Sequence, residues 1–242
     1  LPKSVLIVGS GAIGTEWARI YNSFGSEVTV VEMAEHLIPP ADIEVSKRVE
    51  RIYKQKGIKF YLNDSIEKLE DKTVYLKSGV ILTPEIILVA AGRMPVMCPN
   101  CDNAKVLGDS CGEIQLAHYA IHQAKEYTLN IPFEKNLTPS VIYGQPEIAW
   151  VGLREQDVDE SYSISKLPIT ALGKSWCDDA TDGFIKIITK NNLIYGAHII
   201  SKEASSLIHI LLTAIQNKIT LSEIKEMCFA HPTYAEGIFE LI

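Results

Sequence analysis

The stretch that most constrains this chain is Ser4 to Gly14, where the apolar run Val5-Leu6-Ile7-Val8 enters Gly9-Ser10-Gly11-Ala12-Ile13-Gly14. An amphipathic run from Ala12 to Phe24 follows and Gly25 stops it; a second apolar run, Val28 to Val31, ends in Glu32. The order predicts strand, tight turn, helix, strand, acid. In this G-x-G-x-x-G spacing Gly9 permits the sharp turn, Gly11 lets backbone approach a pyrophosphate, and Gly14 lets the helix close on the strand. The helix N-terminus then offers N–H groups to the phosphates. Alone, the spacing also fits a glycine turn in an ordinary α/β sheet. Flanked by two apolar strands, with an acid eighteen residues after the third glycine, it predicts a dinucleotide site. A carboxylate closing the second strand accepts hydrogen bonds from adenosine ribose hydroxyls and repels a 2′-phosphate. Glu32, followed by Met33, Ala34, Glu35 and His36 with no Arg, therefore predicts NAD over NADP.

After Glu32, Pro39-Pro40 breaks the chain, Asp42 is an N-cap, and Ile43 to Lys56 reads as a helix closed by Gly57. Ile58 to Leu62, Thr73 to Lys77 and Glu85 to Ala91 read as strands, the last of them buried, with the short middle strands forming a small antiparallel insert. Strands alternating with helices predict a parallel, doubly wound sheet. Residues 94 to 134 carry little periodic apolar pattern and read as a fragment of a domain. From Leu137 the pattern recovers: Ser140 to Tyr143, Ala149 to Val151, Ser161 to Ile169, Phe184 to Thr189 and Gly196 to Ile200 are strand-like. Ala204 to Asn217 is a helix with Leu207, Ile208, Leu211, Leu212 and Ile215 at helical spacing, a short helix follows Ser222, and a last one follows His231-Pro232-Thr233. This half is α+β. The expected boundaries are 1–94 for a Rossmann-like NAD-binding domain, 95–134 for a remnant and 135–242 for an α+β domain.

The formal charge of −7 over 242 residues argues against nucleic acid, and no apolar run approaches the roughly 20 residues of a membrane span. The opening residues already read as a strand, so no leader is expected. Five scattered cysteines without a disulfide spacing fit a reducing compartment.

Five blocks carry a resemblance. They are Gly9 to Glu16; Ala91-Gly92-Arg93-Met94-Pro95; Leu107-Gly108-Asp109 with Leu116-Ala117-His118; Pro139 to Tyr143 through Pro146-Glu147-Ile148-Ala149-Trp150-Val151-Gly152; and His231-Pro232-Thr233 with Glu236. In order and context the chain resembles the C-terminal two-thirds of the flavoprotein disulfide reductases, and the Pro146 to Gly152 block points to their dihydrolipoamide dehydrogenase branch. The resemblance implies a Rossmann-like NAD domain joined to a dimerisation (interface) domain. Gly9, Ser10, Gly11, Ala12, Ile13, Gly14, Thr15 and Glu16 would contact NAD, with Glu16 near the nicotinamide. Glu32 would hold the ribose, Ile66 would lie by the adenine and Gly92 near the nicotinamide end. Asp109 would bind the FAD ribityl chain, and Gln115, Leu116, Ala117 and His118 the flavin. His231 would be the acid–base, oriented by Glu236, serving a disulfide and flavin on the partner subunit of a homodimer. The implied activity is oxidation of dihydrolipoamide on the lipoyl domains of a 2-oxoacid dehydrogenase complex, with FAD and NAD as cofactors and no metal. The implied compartment is bacterial cytoplasm or, alternatively, the mitochondrial matrix. Another disulfide reductase of the family, or a stand-alone NAD-binding and dimerisation module, are the alternatives.

The departures are specific. The chain holds no Cys-x-x-x-x-Cys redox motif and no second glycine-rich FAD turn, both of which belong to the family's N-terminal domain. It is short between Pro95 and Met97, in the antiparallel insert before Thr73, and in the helix after His118. The joins near Pro95–Met97 and Tyr127–Asn130 are expected not to be natural connections of an intact enzyme, and the chain by itself is expected to be inactive. Locally, Thr233-x-x-Glu236 also fits a capping box. Cys98-Pro99-Asn100-Cys101 has neither the helix N-terminus a redox pair needs nor enough ligands for zinc, with only Cys111 near. Cys177 and Cys228 read as packing residues. His118, His122 and His209 read as structural histidines.

Overall fold

The computed structural model describes residues 1–96 and 104–242. Cys98, Cys101 and the Met97 side of the join after Pro95 lie outside the described residues. The chain forms two compact units, Leu1–Ala91 with Pro139–Ile242, and Gly92–Thr138.

In the first unit, β1 (Ser4–Val8), α1 (Ala12–Ser23), β2 (Glu27–Val31), α2 (Ile43–Gln55), β3 (Lys59–Tyr61), β4 (Ile66–Glu70), β5 (Thr73–Leu76), β6 (Ile81–Leu82) and β7 (Ile86–Val89) follow in order. A four-stranded parallel sheet runs β3-β2-β1-β7, and β4-β5-β6 make a small antiparallel sheet. Strand residues alternate faces. Val5 and Ile7 therefore enter one core with Ala18, Val45, Val49, Ile52 and Tyr53 beneath the helices, while Leu6 points the other way to Val31, Val74 and Leu76. Asp42 does cap α2, accepting the Glu44 N–H at 2.9 Å. The expected burial of Glu85 to Ala91 is wrong: Ile86 and Val89 are 42% and 72% exposed. Among the described residues β7 pairs only with β1 and ends the sheet, so its apolar residues line an edge of this unit.

The rest of this unit is a five-stranded antiparallel sheet ordered β10-β11-β12-β9-β8. Its strands are β8 (Ser140–Ile142), β9 (Glu147–Gly152), β10 (Ser163–Pro168), β11 (Phe184–Lys190) and β12 (Leu193–Ser201). β10 starts later than expected because Ser161 turns on the Asp159 carboxylate, its N–H donating at 2.8 Å. α5 (Ala204–Gln216) packs its Leu207, Ile208 and Leu211 inward. α6 (Leu221–Lys225) starts before Ser222, because Thr220 and Glu223 close a capping box there. α7 (Glu236–Glu240) ends the chain. Ile142, Ile148, Phe184 and Ile200 join the core of the parallel sheet, so the two sheets share one apolar interior.

The second unit holds α3 (Ala117–Leu129), the helix expected at and after His118 within the weakly patterned segment. Tyr127 and Leu129 complete its last turn, and Asn130 follows in the left-handed conformation. Among the described residues no helix is long and apolar enough to cross a membrane.

Candidate nucleotide and acid–base sites

The glycine turn is built by close approach. Gly9 has φ +97°, and a Cβ there would stand 2.5 Å from the Ala90 carbonyl oxygen. A Cβ at Gly14 would lie 2.0 Å from the carbonyl oxygen of Gly9, so α1 rests directly on the turn. Gly11, at the N-cap, has nothing within 4 Å of its missing Cβ and no side chain caps the helix. The first N–H groups of α1 thus face open space, the arrangement that suits a pyrophosphate. Ala12 and Ile13 are exposed on that turn, while Gly14 and Thr15 are buried. Glu32 stands where expected, just past β2. Its Oε2 accepts the Ser10 N–H at 2.7 Å and the Ser10 hydroxyl at 2.9 Å; its Oε1 accepts the Ala34 N–H at 2.9 Å. Glu16, one turn into α1, accepts the Tyr143 N–H at 2.9 Å. Ile66 opens β4 and packs against the Leu6–Val31 cluster. Gly92 falls in the second unit, with φ +104° and open space at its missing Cβ.

His231 and Glu236 meet. His231 Nδ1 lies 2.7 Å from Glu236 Oε1, and Glu236 Oε2 accepts the Thr233 N–H at 2.7 Å. One carboxylate therefore does both jobs read from the sequence: it binds back to the chain before α7 and it holds the imidazole. The Thr233 N–H foremost, then His231, keep the Glu236 carboxyl below its ordinary pKa. The His231 side chain is 77% exposed against 23% for Glu236, so with Nδ1 turned to the acid, Nε2 is the nitrogen offered outward. A hydroxyl brace, Thr233 Oγ1 to the Ala230 carbonyl at 2.7 Å, closes the turn.

In the second unit, Asp109 pairs with Arg93 at 3.1 Å. Its turn is tied to α3, since Gln123 Oε1 accepts the Gly108 N–H at 2.7 Å. Leu116 is the N-cap of α3, and Ala117 and His118 are exposed in its first turn; Gln115 just before is half-buried. Cys111 is half-buried and donates to the Gly108 carbonyl.

A model of the pyridine nucleotide-disulphide oxidoreductase family matches residues 4–85, and the model of that family's dimerisation domain matches 138–242. The chain belongs to the pyridine nucleotide-disulphide oxidoreductases. It is 33% identical to a dihydrolipoyl dehydrogenase of Chlamydia pneumoniae over 273 residues, covering 98% of this chain and 59% of that one. It is 32% identical to the dihydrolipoyl dehydrogenase of Bacillus subtilis, covering 99% of this chain and 60% of that one. The crystal structure of LpdA from Mycobacterium tuberculosis superposes with a TM-score of 0.90 at 22% identity, over 100% of this chain and 61% of that one, which is a likeness of fold. The chain thus spans about three-fifths of the length of the curated relatives it matches. The first alignment is 273 residues long against 242 here, so that relative carries residues inside the aligned stretch that this chain lacks.

Within this family member, sequence reading missed one cluster altogether. Lys186, in the middle of β11, is fully buried. Its Nζ lies 2.9 and 3.1 Å from the Asp42 oxygens and 3.2 Å from Glu44 Oε2, and bonds Glu155 Oε2. These three acids are spaced as metal ligands could be, but the ammonium stands among them. Burial raises the Asp42 carboxyl, yet the Glu155 N–H and Lys186 outweigh it and hold the pKa low. Burial works against the Lys186 ammonium too, and its carboxylates still keep it above the ordinary lysine value. Beside them His198 is buried, Nε2 on the Leu153 carbonyl at 2.9 Å and 3.9 Å from Asp42, with Nδ1 unpartnered. Burial drives its pKa down. Asp42 was legible as a cap, but nothing local marks a lysine 144 residues away as its counter-ion.

One minor reading is corrected. Cys177 and Cys228 are exposed rather than packed, one at the end of α4 (Gly173–Cys177) and one before the His231 turn. His122 and His209 lie exposed on α3 and α5, and the His122 ring packs on Phe133 with centroids 5.4 Å apart.

Proposed function

We propose that this chain is the NAD-binding and interface part of a dihydrolipoamide dehydrogenase that serves a 2-oxoacid dehydrogenase complex. The observation that carries the reading is the His231–Glu236 pair at 2.7 Å, in a chain about 30% identical to dihydrolipoyl dehydrogenases over nearly its whole length. Residues 1–94 form the NAD domain, 95–134 the piece of the flavin region, and 135–242 the dimerisation domain. Gly9 to Glu16, Glu32, Ile66 and Gly92 hold NAD. The open Gly11 turn and the oriented carboxylate fit it. Asp109 and the stretch Gln115 to His118 hold FAD, which the exposed start of α3 and the exposed carboxylate suit.

In the complete homodimer FAD, held by Asp109 and the Gln115 to His118 stretch, would supply with a redox disulfide the electron path from a dithiol to NAD. The chain's own part is proton handling. Neutral His231 takes a thiol proton on Nε2, leaving a thiolate, the competent nucleophile. Glu236, fixed by the Thr233 N–H, sets the tautomer and stabilises the imidazolium that forms. The partners are a second copy of the chain and lipoyl domains, in a bacterial cytoplasm or a mitochondrial matrix.

The test is the polypeptide purified from its source. A chain near twice 26.8 kDa that carries flavin and reduces NAD with dihydrolipoamide supports the reading. A 26.8 kDa flavin-free chain that binds NADH makes it a stand-alone module instead.

A further inference from the structure

We propose that Ser10 is a positioning residue that sets nucleotide specificity by clamping Glu32, an inference that rests on the NAD reading above. Ser10 is 1% exposed, so a nucleotide arriving from solvent does not reach its side chain. Its two donors instead converge on one oxygen, the N–H at 2.7 Å and the hydroxyl at 2.9 Å from Glu32 Oε2. The Ala34 N–H takes a place on Oε1 at 2.9 Å. An ionised carboxylate has about four acceptor positions. Three are filled by the protein, and the last lies on Oε1.

Two consequences follow from this geometry. The ribose of NAD is offered a single acceptor, Oε1, in a fixed direction. A 2′-phosphate meets a full negative charge on a side chain that three hydrogen bonds hold in place, where a free glutamate would swing to water. The hydroxyl is the removable part of the clamp. The main chain of Ser10 is anchored without it, because the Ser10 carbonyl accepts the Thr15 hydroxyl at 2.9 Å and the Ile38 N–H at 3.0 Å. Ser10→Ala therefore removes one bond to Glu32 and leaves the turn standing.

NADH and NADPH are titrated by calorimetry into the chain, Ser10→Ala, Glu32→Ala and the double variant, with melting curves as the folding control. The wild type should prefer NADH, and Ser10→Ala should shrink that preference about tenfold, mostly through tighter NADPH binding, as expected for loss of one charge-assisted bond. In the Glu32→Ala background the same substitution should leave the ratio unchanged. A merely structural serine would lower both affinities alike and do so in either background. An unchanged preference in Ser10→Ala, or the same change without Glu32, overturns the clamp while the NAD reading stands. Equal affinities in the wild type overturn the NAD reading itself. Ser10→Gly removes the hydroxyl by a second route if Ser10→Ala fails to fold.

Discussion

Lys186→Met tests whether the buried ammonium is what balances Asp42. Methionine keeps most of the lysine stem, so packing within β11 changes little, and the charge disappears from a side chain with no exposure. Asp42 then remains 1% exposed and ionised without its counter-ion. Removing one member of such a pair costs about 3–5 kcal/mol. Glu44 and Glu155 are 35% and 51% exposed and can turn to water, so the cost falls on Asp42. Asp42 still accepts the Glu44 and Glu155 N–H groups, both at 2.9 Å, which places the expected loss near the lower end, about 3 kcal/mol. That is a large share of the roughly 5–15 kcal/mol that holds a folded domain together. Urea unfolding should show the midpoint fall with unchanged slope. Asp42→Asn in the same background should recover much of the loss, since an asparagine side chain caps α2 without a charge. The deficit should also shrink toward acid, where the orphaned carboxylate takes a proton. A loss below about 1 kcal/mol, or no recovery with Asp42→Asn, refutes the reasoning, because the pair would then be worth no more than an exposed one.

Three further outcomes are expected. Gly14→Ala, whose Cβ would stand 2.0 Å from the Gly9 oxygen, should lower the melting temperature, whereas Gly11→Ala, with nothing within 4 Å, should melt normally and bind NADH weakly; both are read by calorimetry and thermal melts. Burial foremost, with Lys186 and Arg154 acting the same way, depresses the His198 pKa below 6.5 and outweighs the pull of Asp42 and the Leu153 carbonyl, so the folded state favours the neutral ring. Its contribution is intact above pH 6.5 and is lost as pH falls toward the folded value, by at most about 1.4 kcal/mol per pH unit; His198→Gln should flatten that slope in urea titrations. In the complete protein His231→Gln should cut dithiol oxidation by about 10²–10⁴-fold with NADH binding unchanged, and Glu236→Gln by less. A matching loss of NADH affinity would remove the pair from proton transfer.

The parts of this molecule legible in the sequence are those fixed by short-range rules. The glycine turn is one: two of the three positions that mark the motif are where the chain meets itself, Gly9 on Ala90 and Gly14 on Gly9, and the third, Gly11, stays open. Asp42 as a cap and the His231–Glu236 spacing are others, each settled within five residues. α3 was placed by the helix that the resemblance implies after His118 rather than by periodicity, because it presents one buried residue, Tyr119, and so no apolar stripe. β7 was placed inside because four apolar residues look alike in a central strand and at an edge.

The polar cluster fails differently. In Phe184-Ile185-Lys186-Ile187-Ile188 nothing local says whether the lysine head is buried or in water. β11 is buried from Phe184 to Thr189, because β10 and β12 flank it and the core around α2 lies against it. Lys186 is tolerated inside because Asp42, coming from the parallel-sheet half, is carried to it by the fold. The two family-matched segments are therefore joined by an ion pair as well as by shared apolar core. Asp42 also caps α2 and Lys186 also meets Glu155, each within its own half, so the Asp42–Lys186 bond is the part that only the assembled chain supplies, and cutting the two halves apart should loosen the α2 cap and β11 together.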